Sequence, residues 1–69
     1  MIDQTISPHD AFLIAIRRTE GARKFYEDAA AIMLSPHTRE VLETLAREEK
    51  DRAEILTRRM RQQMVEEEV

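Results

Sequence analysis

"LSPHT", Leu34 to Thr38, decides how this chain folds. Ser35 is a helix N-cap by type: its side-chain oxygen accepts a bond from an orphan backbone N–H of the first turn. Pro36 follows at the first helical position, where a missing N–H is no loss and the fixed φ already suits a helix. The same signal stands earlier as "SPHD", Ser7 to Asp10. There Asp10 falls at the third helical position, where a negative charge also suits the helix dipole. Two start signals predict two helices, one over about 8–34 and one over about 36–66. The connection around Ser35 is so short that they must fold back as an antiparallel hairpin. Acidic Glu66 to Glu68 oppose the dipole at the far end of the second helix. His9 and His37 fall in the first turns and read as exposed start residues, because neither has a partner at ligand spacing.

Composition points the same way. The chain has 69 residues, no cysteine, one glycine and two prolines. Ala, Leu, Glu, Arg and Met, all strong helix formers, dominate it. That bounds it to one all-α domain over 1–69 and excludes disulfides and thiolate zinc sites. A net charge of -3 with interspersed signs argues against a nucleic-acid partner, which wants a basic stripe. Arg58, Arg59 and Arg61 form a small basic cluster, but Glu66 to Glu68 follow it, so the pair reads as a solvated helix end. No apolar run approaches the ~20 residues of a membrane span. "AFLIAI" (Ala11 to Ile16) is too short and too late for a signal peptide. The default location is the cytoplasm, or the inside of a larger assembly. So short a chain buries little surface by itself, and the remaining way to complete a core is association with other chains.

The seams support association. Helix 1 carries Phe12, Ala15, Thr19, Ala22, Tyr26, Ala29 and Met33 at alternating spacings of three and four, the pattern of a bundle. Helix 2 continues it with Leu42, Leu45, Glu49, Arg52 and Leu56. Ile16, Phe25 and Ile32 widen the first stripe; Val41, Ala46, Ala53, Ile55 and Met60 widen the second. One hairpin cannot cover two such stripes, whereas two hairpins can, as a four-helix bundle. A homodimer or higher even homo-oligomer is therefore expected. Gly21, inside helix 1, costs about 1 kcal/mol relative to Ala and is expected to mark a close backbone approach, with plain tolerance as the alternative. The polar residues of the seam are Thr19, Glu49 and Arg52. Counted from Ser35, Thr19 lies sixteen residues back and Arg52 seventeen forward, with Glu49 one turn away. The three converge at one mid-bundle level, where bundles build their metal sites.

At that level the sequence resembles a known family. "AIRRTEGARKFYEDAA" (Ala15 to Ala30) is similar to the first helix of rubrerythrin-like and ferritin-like di-iron proteins, and "LAREEKDRAEIL" (Leu45 to Leu56) to the second. The resemblance covers about Phe12 to Leu56, the first helix pair only. Encapsulated ferritins are similar in that one short chain supplies a hairpin and dimerisation supplies the other. The resemblance implies a ferritin-like fold and, position by position, a ligand set. The family's first Glu falls on Thr19, counted from Tyr26. The Glu of its E-x-x-H motif falls on Glu49 and the His on Arg52. One ligand of three remains, and an arginine cannot bind a cation. A one-residue slip brings Glu20 to the first position but off the seam.

Charge counting suggests a replacement. Two Glu49 and two Arg52 cancel at one level of a dimer without metal, so a Glu49–Arg52 network is expected to stand where the di-iron centre would, with Thr19 beside it. Tyr26 reads first as a core residue and, as the alternative, as a hydrogen-bond donor into the network. The alternative at residue scale is a single intrahelical i,i+3 pair. At the scale of function, the reading leans against an enzyme: a self-associating structural or interaction module with no catalytic residue, no metal and no cofactor. The alternative is an iron-binding ferroxidase or peroxidase using Glu20 and Glu49, helped by neighbours such as Glu27 or Glu48. A third possibility is an adaptor that docks partners on the Met60 and Met64 end.

Overall fold

The structure, a computed structural model, describes residues 6–68, with side chains as far as Val65. The side chains of Glu66 to Glu68, expected to balance the arginine cluster, lie outside the described residues. Two helices make up the fold, α1 (Pro8–Ile32) and α2 (Pro36–Glu68), packed along one another. No strand occurs among the described residues.

Both start signals act as their chemistry dictates. Ser7 is extended, and its Oγ accepts from the Asp10 backbone N–H at 3.1 Å. Ser35 Oγ accepts from the Thr38 N–H at 3.3 Å, and its carbonyl accepts from the Arg39 N–H at 3.0 Å. α1 stops at Ile32, short of the expected Leu34. Met33 is already extended (φ -76°, ψ 129°), although its N–H still donates to the Ala30 carbonyl at 3.3 Å. Reversing the chain between antiparallel helices takes a few non-helical residues, and Pro36 bars its predecessor from the α region. Arg39 closes the corner: its Nη2 donates to the Met33 carbonyl at 2.7 Å, so the first turn of α2 satisfies an orphan carbonyl at the end of α1.

The pair is a slab of 52 × 23 × 11 Å, one helix thick. Its radius of gyration is 15.5 Å, against about 11 Å for a compact chain of this length. The core is correspondingly thin. Among the described residues Ala30 and Ala46 are the buried apolar ones, and no large side chain is fully buried. Phe12, Tyr26, Leu42, Leu45, Leu56 and Met60 are half-buried. The chain exposes 5726 Å², where a compact one of 8.1 kDa exposes about 4500 Å².

The two broad faces of the slab differ in chemistry. A helix turns about 100° per residue, so the buried Thr19 and Ala30 mark the side of α1 that meets α2, and Ala46 marks the opposing side of α2. Arg23 and Glu27 lie to one side of that line on α1. They share grooves with Glu43, Arg47 and Lys50 of α2, which makes this face polar. Turned away from that polar side are Phe25 and Ile32 on α1 and Val41 and Ile55 on α2, all exposed, with Ile32 and Ile55 pointing most directly away from the partner helix. Here the widened stripes of the sequence come to the surface. Gly21 meets no atom within 4 Å of the position its Cβ would take. Among the described residues the expected close approach is absent, because Gly21 points away from α2.

Candidate functional site

The mid-height polar level is the place where the seam chemistry gathers. Thr19, on α1, is buried to 6 % exposure, and its hydroxyl donates to the Ile16 carbonyl at 2.7 Å. Glu49, on α2, keeps only 13 % of its side chain exposed. Both line an open groove of ≈ 500 Å³ on the polar face, together with Glu20, Arg23 and Lys50. The height count made from the turn thus brings Thr19 and Glu49 to one groove.

Arg52 stands differently. Its Nη1 donates to Glu49 Oε1 at 2.6 Å, an i,i+3 bridge, while its side chain remains 59 % exposed. Positions 49 and 52 are about 60° apart on a straight helix. When Glu49 faces α1, Arg52 emerges on the apolar face and reaches back. Within one hairpin the arrangement is the single intrahelical pair. Tyr26 does not join it. Counted from Leu34 it is eight residues back and Glu49 fifteen forward, about 10 Å apart along the axis. Tyr26 instead packs edge-to-face on Phe25, with ring centroids 5.6 Å apart. Glu20 lines the groove but is exposed.

This donor set does not fit a di-iron centre in one hairpin. The Thr19 hydroxyl is committed to its own backbone, the Glu49 carboxylate carries a fixed guanidinium, and Arg52 offers no lone pair to a cation. Among the described residues no three of His, Asp and Glu gather at metal-binding separation. Nor is any described helix long and apolar enough to cross a membrane.

Two arginines escaped the seam reading. Arg23 borders the polar groove with a buried Nε that has no hydrogen-bond partner among the described residues; Glu27 Oε1 lies 3.9 Å away, beyond hydrogen-bonding reach. Arg18 is exposed and projects on the apolar face between Ile14 and Ala22. The signal for Arg18 is local: residues 14, 15, 21 and 22, one turn to either side, are Ile, Ala, Gly and Ala, so its own helix offers no carboxylate.

Compared with models of protein families, with curated proteins and with solved structures, the chain shows no significant match.

Proposed function

We propose that the chain is a ferritin-like, self-associating helical module, in which two hairpins complete a four-helix bundle and the Glu49–Arg52 pairs stand where that family keeps its iron. The role is structural or interactive rather than catalytic. The observation that carries association is the uncovered apolar surface, with Phe25, Ile32, Val41 and Ile55 all exposed. The area agrees: the surplus over a compact chain, roughly 1200 Å², exceeds the ~800 Å² that each member of a stable pair covers. The absence of redox iron rests on the 2.6 Å bond that holds the Glu49 carboxylate to Arg52.

A second reading is an iron-binding oxidoreductase, a ferroxidase or peroxidase using Glu20 and Glu49. Its one support is that both residues line the same groove. Two measurements decide. Sedimentation equilibrium at micromolar concentration is expected to give twice the chain mass or a larger even multiple; a stably folded single chain overturns the module. Titration with iron or cobalt, followed by absorbance, is expected to show no paired-metal site in the parent. The double change Thr19→Glu with Arg52→His is expected to create one. Two metals bound per dimer by the unmodified chain bring back the enzyme.

A further inference from the structure

Resting on the self-association just proposed, we infer that the apolar face is the seat of a second copy in one register, with both turns at the same end and Arg18 paired with Glu48 of the other copy.

The argument starts from Arg18. It is a fixed cation on an apolar face, and no carboxylate of its own hairpin lies within ion-pair distance among the described residues. Covering that face without a partner charge would strand a cation away from water, which opposes burial strongly. Whatever covers the face must therefore bring a carboxylate to the height of Arg18. The face itself carries a candidate, since Glu48 lies on the same side of α2 as Val41 and Ile55 and takes part in no ion pair among the described residues.

A two-fold axis along the hairpin keeps both turns at one end and lays α1 of each copy on α2 of the other. Heights counted from Leu34 then match throughout. Phe25, nine residues back, falls between Val41 and Leu45, seven and eleven forward. Arg18, sixteen back, meets Glu48, fourteen forward. Ile14, twenty back, meets Ile55, twenty-one forward. Each offset is two residues or fewer, about 3 Å at most. The other way to stack the faces puts the turns at opposite ends and lays α1 on α1. With the polar levels aligned, Arg18 then faces its own copy, and like charges in contact oppose the pairing. The apolar rows fit a second copy, and the charges choose its direction.

The test uses the whole chain. Arg18→Glu and Glu48→Arg are each expected to weaken association about tenfold or more, and the double exchange to restore it to within about threefold. Both residues are exposed on the hairpin, so circular dichroism checks that each variant remains helical, and the rescue separates pairing from a general loss of fold. The direction is read separately. Leu34 stands at the turn with 93 % exposure, and the chain has no cysteine, so Leu34→Cys gives a single site for a spin label. Turns at one end are expected to place two labels within about 20 Å, one to two interhelical spacings; turns at opposite ends place them near the 52 Å length of the slab. A dimeric parent with long label distances, or with reversals that change nothing or are not rescued, overturns this register and leaves self-association standing. A parent that sediments as a single chain overturns both.

Discussion

Glu49 shows how one carboxylate is held in a thin core. Its side chain is mostly covered, and the exposed Arg52 is its ion-pair partner among the described residues. Arg52→Ala is expected to lower stability by about 1–3 kcal/mol, the cost of leaving a largely buried acceptor unsatisfied. Urea unfolding measures it; a loss under about 0.5 kcal/mol would mean that the pair works as an exposed helix bridge. Thr19 gives the opposite expectation. Its hydroxyl only back-bonds to Ile16, a local interaction that adds little to a helix, so Thr19→Val should be neutral or stabilising within about 1 kcal/mol. Gly21→Ala should raise stability by about 1 kcal/mol, because the helix gains propensity and the added methyl meets open space. A loss there would reveal a close neighbour from another chain.

At the scale of the elements, two serines do most of the punctuation. Ser35→Ala removes the acceptor for the Thr38 N–H and is expected to cost about 1 kcal/mol. Faster hydrogen exchange at Thr38, without change at Asp10, is the local signature, and Ser7→Ala should give the mirror result at Asp10. Equal exchange in parent and variant would show the cap to be idle. The corner between the helices was less legible. The start of α2 was readable because serine and proline act on adjacent backbone. The end of α1 at Ile32 was not, since it depends on the few residues needed to turn and on Arg39 reaching the Met33 carbonyl six residues back.

The whole molecule is a slab with a charged face and an apolar one, and the proposal of association rests on the apolar face. Phe25→Lys places a charge on a side chain that is 64 % exposed in the single hairpin. It should cost the hairpin little, yet shift association toward single chains about tenfold or more. Sedimentation reads the shift. The thermal midpoint of the parent should rise with protein concentration, as it does whenever assembly stabilises the fold. A midpoint that stays constant over a hundredfold range of concentration would speak for a hairpin that stands alone.

Local chemistry determined the two helices, their starts and the short corner, because caps, proline and propensity act within a few residues of sequence. Counting heights from the corner also put Thr19 and Glu49 at one groove, since the rise per residue is fixed. Rotation about the helix axis was the part the tertiary structure decided. A strict three-and-four pattern treats Glu49 and Arg52 as facing one seam, but a straight helix holds them about 60° apart. Packing against α1 turns Glu49 inward and leaves Arg52 on the apolar face, and the same rotation exposes Phe25 and Ile32 rather than burying them. The hydrophobic pattern marked which residues want cover; only the packed pair of helices determined which of them it could cover itself.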